Sequence, residues 1–185
     1  MYRDGNGYTP LHWASMKGNA KAVSYLLGKG ANALAISSHD KSTLHCAAHG
    51  GSIEVVRLLL EKGVKLDQVD ALGQTPLEEA ASVGTAELVE FFLQQSPEGS
   101  INVSDHDTGF TLLHQASVAG NVDVVRMLLQ NPGVRPDRVD TLGRTSLLLA
   151  SVQGNEEIVR MLLADGQTRP GVQDWYRSTA LFAAV

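Results

Sequence analysis

The stretch STLHCAAHGG, residues 42–51, places two histidines four residues apart and a cysteine directly after the first of them. If this segment is helical, His45 and His49 lie on one face, the spacing that zinc sites use when one helix supplies two ligands. Cys46, the only cysteine in the chain, is then a candidate third ligand or a candidate nucleophile. The sequence therefore raises the question of whether this segment performs chemistry or supports the fold.

Two further motifs resemble pieces of catalytic sites. The triplet DTG at 107–109 matches the active-site triplet of aspartic proteases, and the dipeptides His39-Asp40 and His106-Asp107 pair an imidazole with a carboxylate. An aspartic protease needs a second carboxylate to share the proton, and the sequence has no second DTG. No serine or cysteine stands in a triad order relative to either dipeptide. We therefore expect turns at these positions.

Composition narrows the class of protein. The chain has 185 residues, with 15 Lys and Arg against 20 Asp and Glu and a net charge of -5, which disfavours nucleic acid or an anionic membrane as the main partner. One cysteine cannot form an internal disulfide, and the start MYRDGNGYTPLH lacks the basic and apolar regions of a secretory signal. No apolar run approaches the roughly 20 residues of a transmembrane helix. These features predict an intracellular, cytoplasmic protein without membrane insertion, with the nucleus as the alternative compartment.

The chain is built from an internal repeat. The segments YTPLHWASMKG, KSTLHCAAHGG, QTPLEEAASVG, FTLLHQASVAG and RTSLLLASVQG align, and they end at Gly18, Gly51, Gly84, Gly120 and Gly154. The steps between these glycines are 33, 33, 36 and 34 residues. A second block such as IEVVRLLL or VDVVRMLL follows each glycine, and a sixth unit begins at DWYRSTALFAAV. Such a period indicates a stack of similar supersecondary units.

Each repeat carries the signals of two short helices. A hydroxyl residue stands where an N-cap side chain accepts hydrogen bonds from the first free backbone N–H groups, and proline follows it in two repeats. These predicted caps are Thr9, Ser42, Thr75, Thr111 and Thr145. In the second block, polar residues at Glu54, Arg57 and Glu61 predict one solvent-facing stripe on an otherwise apolar helix. We expect acid-base pairs three residues apart on these helices: Glu54 with Arg57, Asp123 with Arg126, and Glu157 with Arg160.

From Asp4 to Val185 these repeats resemble the ankyrin repeat family, whose unit is a turn followed by two antiparallel helices with a T-P-L-H-x-A-A core. The phrase DWYRSTALFAAV is also similar to ankyrin arrays from filamentous fungi. The resemblance implies an all-α fold, an ankyrin-repeat solenoid of helix-turn-helix units joined by β-turn or hairpin-like loops. We expect a single array over 1–185, with repeats at 4–36, 37–69, 70–104, 105–139 and 140–173 and a truncated sixth at 174–185. The half repeat suggests that the chain is part of a longer one.

The resemblance also offers roles for the histidines and the cysteine. His12, His45 and His114 share one repeat position, at which the family's imidazole bonds the N-cap hydroxyl and a backbone group of the adjoining turn. In the other units this histidine is replaced by Glu78, Leu148 and Phe182. Whether those units form an equivalent bond to the adjoining turn stays open. Cys46 has no clear basic activator nearby, so we expect it to pack inertly. His49 occupies a varied position, so we expect it to be exposed, and a zinc site would need ligands from elsewhere.

Ankyrin arrays vary the turn tips and the ends of the first helices, which line a concave groove. The resemblance implies a partner-binding set: Tyr8, Lys17, His39, Lys41, His49, Leu72, Val83, Phe110, Val118, Leu142, Arg144, Val152, Trp175 and Tyr176. The first two repeats offer mainly charged and imidazole side chains, whereas the later ones offer an exposed apolar stripe, typical of a protein-binding groove.

We therefore predict a non-enzymatic protein-protein interaction module that binds a protein partner along the concave face, with no cofactor, metal or catalytic residue. One fold serves many functions, so an alternative remains open: the chain is the recognition segment of a larger enzyme or signalling ATPase. A less favoured alternative is an array with its own histidine-based site, at His49 or His106.

Overall fold

The computed structural model describes residues 2–97, 100–105 and 107–183, and within these ranges the fold is helical without strands. The first helices of the repeats are α1 (Pro10–Met16), α3 (Thr43–His49), α5 (Pro76–Val83), α7 (Leu112–Ala119) and α9 (Ser146–Val152). The second helices are α2 (Ala20–Gly28), α4 (Ile53–Leu60), α6 (Ala86–Gln95), α8 (Val122–Gln130) and α10 (Glu156–Ala164), and α11 (Ala180–Ala183) follows them. A 3-10 turn spans Ser100–Asn102. The all-α prediction is confirmed.

The chain divides into two compact units, Met1–Ser96 and Pro97–Val185, which we call the N-terminal and the C-terminal unit. In the N-terminal unit, α1 packs on α3, α3 packs on α5, and α2 packs on α4. In the C-terminal unit, α7 packs on α9, α9 packs on α11, and α8 packs on α10. Each unit is thus a stack of helix pairs. The single array over 1–185 stays a prediction.

The predicted hydroxyl residues precede all five first helices, each with an extended backbone conformation. Ser42 Oγ, for example, accepts a hydrogen bond from His45 N at 3.3 Å, which satisfies a backbone donor that the helix itself leaves free. Pro10 and Pro76 occupy the first helical position as expected. Four of the second helices are also capped by a side chain, as where Asn19 and Ser52 accept a hydrogen bond from the N–H three residues on. Asn155, before α10, makes no such bond.

The interior of each unit combines small residues on the first helices with branched apolar residues on the second. Ala47 and Ala116 are fully buried, as are Val55 on α4 and Ile158 on α10. Alanine leaves room for the neighbouring first helix to approach closely, while the branched side chains fill the space between repeats. The predicted solvent stripe on the second helices, including Glu54, is exposed.

The ion pairs predicted within single helices are wrong for Arg126 and Arg160. Arg126 Nη2 lies 3.1 Å from Glu157 Oε1, on the second helix of the next repeat, and Arg160 Nε lies 3.2 Å from Glu156 Oε1. Arg57 lies over the ring of Phe91, 4.5 Å from its centroid. Arg160 thus pairs within its own helix, but four residues back instead of three. For Arg126 and Arg57, stacking brings side chains of the following repeat within reach, and spacing along one helix does not reveal them.

The turns between repeats share a hydrogen-bonding scheme that was not predicted from the sequence. Asp140 Oδ1 accepts from Leu142 N at 2.9 Å and from Arg144 N at 2.8 Å. The same scheme occurs at Asp4, Asp70 and Asp174, and a closely related one at Asp105, while Ser37 Oγ replaces the carboxylate in the second repeat. An acceptor side chain that binds two backbone N–H groups fixes the conformation of the turn between them.

Neighbouring turn tips are joined by backbone hydrogen bonds. In the N-terminal unit, Ala71 N donates to His39 O at 2.9 Å, and in the C-terminal unit Thr141 N donates to Thr108 O at 2.9 Å. Gly109, beside this second bond, has a φ of +72°, and a Cβ at its position would lie 2.9 Å from Thr141 N. The close approach of the two tips therefore requires glycine.

This geometry predicts the effect of alanine at two glycines. Gly154 has a φ of +71° but no atom within 4 Å of the Cβ position, so Gly154→Ala should lower the free energy of unfolding by about 1–2 kcal/mol through backbone strain alone. Gly109→Ala adds a steric clash with a neighbouring backbone, and we expect its loss to exceed that of the control by about 1 kcal/mol or more. Urea unfolding of both variants measures this difference. Equal losses would contradict the role assigned to the close approach.

Candidate functional site

The three histidines that share one repeat position are fully buried and hydrogen-bonded at both ring nitrogens. His45 Nδ1 accepts from Ser42 N at 3.2 Å and lies 2.8 Å from Ser42 Oγ. His45 Nε2 lies 2.8 Å from Gln74 O, in the turn of the following repeat. A carbonyl can only accept, so the proton must sit on Nε2 and the ring is neutral.

The same arrangement recurs at the other two histidines. His12 Nε2 lies 3.2 Å from Lys41 O, and His114 Nε2 lies 3.2 Å from Arg144 O. Each imidazole thus joins the start of a first helix to the next turn, as the resemblance implied. In the third repeat, Glu78 Oε2 accepts from Thr75 N at 2.7 Å, which reproduces the contact to the helix cap. Leu148 is buried and apolar and cannot form a hydrogen-bonded tie.

The segment that contains His45, Cys46 and His49 does not have the geometry of a zinc or cysteine site. Both ring nitrogens of His45 are engaged in structural hydrogen bonds. Cys46 is only 1% exposed, and burial raises the pKa of its thiol to about 12, so the thiolate needed of a nucleophile or ligand is disfavoured. Among the described residues, no group of three or more His, Cys, Asp or Glu is placed to hold a metal ion.

The described residues of the His-Asp dipeptides lie in turns. His39 and Asp40 are exposed at a turn tip, where Asp40 has a φ of +56°. Asp107 N donates to Asp105 Oδ1 at 2.9 Å as part of the fourth repeat's turn. His106 lies outside the described residues. The DTG triplet therefore belongs to the turn scheme of the repeats.

His49 is half-exposed at the end of α3, and it belongs to a group of ionisable side chains in the N-terminal unit. Its Nδ1 lies 2.8 Å from Glu79 Oε1, and Lys41 Nζ lies 2.8 Å from Glu79 Oε2 and 3.7 Å from Asp70 Oδ2. We call Lys41, His49, Asp70 and Glu79 the charge cluster. Both of its carboxylates are largely buried, at 5% and 8% exposure. Two of the predicted partner-binding residues are thus brought together by an acidic residue that the prediction omitted.

Electrostatics in the charge cluster favour the charged form of its lysine. Burial by itself lowers the pKa of Lys41, but the hydrogen bond and charge of Glu79, together with the charge of Asp70, outweigh burial and raise it. Opposite charges at short range stabilise the ionised form of each other. Lys41 therefore holds the two buried carboxylates in place rather than extending freely into solvent.

In the C-terminal unit, an aromatic ring and a guanidinium are packed together. Phe110 stacks on the ring of His114 with 5.6 Å between centroids, and the Arg144 guanidinium lies 5.8 Å from the centroid of Phe110. Arg144 Nη2 also lies 2.7 Å from Asp140 Oδ2. Both side chains are therefore half-buried, whereas the repeat register predicted Phe110 on an exposed stripe. Packing of Phe110 over the buried ring of His114 accounts for this difference.

The predicted partner-binding residues fall into two groups by exposure. Exposed are Lys17, His39, His49, Leu72, Val83, Val152, Trp175 and Tyr176; half-buried are Tyr8, Lys41, Phe110, Val118, Leu142 and Arg144. Tyr8 meets the buried ring of His12 edge-on at 5.5 Å. Trp175 N donates to Leu142 O at 3.1 Å, so these two tips are neighbours. The largest exposed apolar side chains of the set are Leu72, Trp175 and Tyr176, which are 73%, 73% and 77% exposed.

Sequence reasoning missed three acidic residues that organise these surfaces, namely Asp70, Asp140 and Glu79. The signal for the two aspartates was present, because DALG and DTLG place aspartate three residues before the turn glycine in the third and fifth repeats. Glu79 had no such signal. Its two partners lie 30 and 38 residues earlier in the chain.

The buried histidines predict a loss of stability in mild acid. Burial lowers the pKa of His12, His45 and His114 from the ordinary value of 6.5. Below pH 6.5 the unfolded chain binds protons that the folded chain does not. The free energy of unfolding therefore decreases as the pH is lowered, by up to about 1.4 kcal/mol per pH unit for each histidine. Urea unfolding at pH 7.5, 6.5 and 5.5 measures this slope.

A variant tests the assignment of that slope. His114→Leu copies the residue that stands at the equivalent position of the fifth repeat, Leu148. It should lower stability at pH 7.5, by about 1–3 kcal/mol for the buried groups left unpaired, and remove about a third of the pH dependence. His39→Asn, at an exposed tip, should leave the slope unchanged. The assignment fails if His114→Leu retains the full slope.

Comparison with known families covers nearly the whole chain. A profile of three tandem ankyrin repeats matches residues 1–70 and 44–140, and a profile of one ankyrin repeat matches residues 142–175. Among curated proteins, the comparison finds no match.

None of the helices in the described residues has the length and apolar character needed to cross a bilayer.

Proposed function

The chain belongs to the ankyrin repeat family, and on this premise we propose that it binds a protein partner through the turn tips and first-helix ends of its repeats. Ankyrin repeats are generally protein-protein interaction modules and are typically non-enzymatic. The family presents this face as a concave groove. We propose that this chain uses a corresponding groove and that the predicted partner-binding residues line it.

The observation that carries the proposal is the presentation of large apolar side chains on ordered turns. Leu72, Trp175 and Tyr176 are about three-quarters exposed, yet the backbone N–H groups of Leu72 and Tyr176 are bound by Asp70 and Asp174. Ordering the turns before binding reduces the conformational entropy lost in a complex. Aromatic residues on such a surface are the side chains that most often dominate protein-protein affinity.

The charge cluster supports a different contribution of the N-terminal unit to partner binding. His49 and Lys41 have side chains 49% and 24% exposed, and both are anchored on Glu79. Charged groups at the margin of an interface chiefly set the orientation and rate of association rather than its strength. We infer that the apolar tips supply affinity and that the charge cluster selects the partner's orientation.

The state of the histidines supports binding over histidine-based catalysis. His12, His45 and His114 are buried, each with its Nε2 directed at a backbone carbonyl. A general base must reach a substrate proton at hydrogen-bond distance, and these rings are committed to the scaffold. His49 is accessible but is paired with Glu79.

A matched pair of double variants tests the proposed face. Once a partner has been identified by photo-crosslinking from Tyr176, calorimetry compares its Kd for the native chain with that for Leu72→Ala/Tyr176→Ala. We expect at least a tenfold weakening, about 1.4 kcal/mol, because exposed anchors are lost without disturbing the core.

The control is Leu163→Ala/Tyr25→Ala, which removes a leucine and a tyrosine that are exposed on the second helices, at 49% and 67%. It should leave Kd within twofold. The proposed face would be wrong if the control variant weakened binding as much as the test variant, or if the test variant bound with native affinity and native thermal stability.

A further inference from the structure

A cavity of about 340 Å³ opens in the C-terminal unit between the connections that follow α8 and α10. Its lining residues are Arg135, Pro136, Asp137, Arg138, Gln167 and Arg169. None of them belongs to the partner-binding set, and they lie outside the turn tips and the first helices. The cavity is therefore a separate feature of the surface, and a ligand bound in it would be independent of the proposed function.

The repeat period explains why arginines meet in this cavity. Arg135-Pro136 and Arg169-Pro170 stand 34 residues apart, the same step that separates Gly120 from Gly154. Both Arg-Pro dipeptides consequently occupy the same position of successive repeats. Stacking of the repeats places the two arginines side by side, and Arg138 joins them from the same connection as Arg135.

The charges in the cavity are not balanced. Arg169 pairs with Asp137, whose side chain is only 14% exposed. In the described part of the chain, the guanidinium groups of Arg135 and Arg138 have no hydrogen bond or ion pair to any residue. Three guanidiniums against one carboxylate leave a local charge of +2, in a chain whose net charge is -5. This concentration of positive charge has no partner among the described residues.

The backbone around the cavity is fixed by hydrogen bonds. Asn102 Oδ1 accepts from Arg135 N at 3.0 Å, and Asn102 Nδ2 donates to Gly133 O at 2.6 Å. Arg169 N donates to Asp137 Oδ1 at 2.8 Å. Pro136 is buried, and its ring restricts the chain further. The backbone of Arg135 and of Arg169 is thus held in position before any ligand binds, which favours a specific site.

We propose that this cavity binds a phosphomonoester dianion, carried on a phosphorylated serine or threonine of a protein. Such a group has a charge of about -1.5 to -2 at pH 7 and three acceptor oxygens, which complements the local charge of +2. The planar forks of Arg135 and Arg138 match its oxygens in paired hydrogen bonds, and the amide of Gln167 offers a further donor. A carboxylate has only one negative charge and would leave one guanidinium without a counter-charge.

The test titrates the chain of 185 residues with phosphoserine blocked at both ends and follows the Arg Nε–Hε resonances by NMR. The signals of Arg135 and Arg138 should shift saturably, and Arg135→Gln/Arg138→Gln should weaken binding at least tenfold. Affinity should rise between pH 5.5 and 7.5, because the second ionisation of the phosphate has a pKa of about 6. Blocked, unphosphorylated serine should cause no shift.

Two controls distinguish this site from general charge attraction and from lipid binding. Arg160→Gln/Arg126→Gln removes two exposed arginines of the same unit and the same amount of charge, so it should leave phosphoserine affinity within twofold. Equal weakening by both double variants would overturn the site in favour of general charge attraction. Vesicles of phosphatidylcholine with phosphatidic acid form the second control. Binding to these vesicles that requires Arg135 and Arg138, without binding of phosphoserine, would overturn the phosphoprotein ligand.

Discussion

The hydrogen bond from a buried imidazole to the carbonyl of the following turn is the interaction on which the architecture depends. His45 connects Ser42, at the start of its own helix, to Gln74 in the next repeat. A ring that is buried must have both nitrogens satisfied, so the neutral ring fixes the helix start and the next turn together. Where a histidine stands at this position, the bond sets the register between one repeat and the next, and it links stability to pH through the unfavourable protonation of a buried group.

The turns present side chains at the surface at positions that this register sets. An aspartate at the base of a turn, such as Asp140, binds two backbone N–H groups of the tip, and adjacent tips are joined through bonds such as Thr141 N to Thr108 O. The tips are therefore ordered without contributing large side chains to the core. Their side chains are free to differ between repeats, and this is how a constant scaffold can present apolar groups at one turn and charged groups at another.

The charged residues show how stacking assigns partners. Glu79 lies on a first helix where other repeats place Trp13, Cys46, Gln115 or Leu149, and in this repeat it collects both Lys41 and His49. Arg135 and Arg138, in the connection after α8, instead meet a further arginine from the next repeat. Stacking of successive repeats thus gathers side chains of opposite charge in one unit and an excess of positive charge in the cavity of the other.

The sequence by itself determined the features that depend on residues close together in the chain. The period, the caps at Ser42 and Thr75, the inert burial of Cys46 and the exposure of His49 all follow from local patterns or from comparison between repeats. Only the tertiary structure decided that Arg126 pairs with Glu157 instead of Asp123, that Phe110 is covered by Arg144, and that Glu79 joins His49 to Lys41. These partners lie about 30 or more residues apart, and side-chain reach across the stack determines them. Helical spacing specifies only what lies on the same helix.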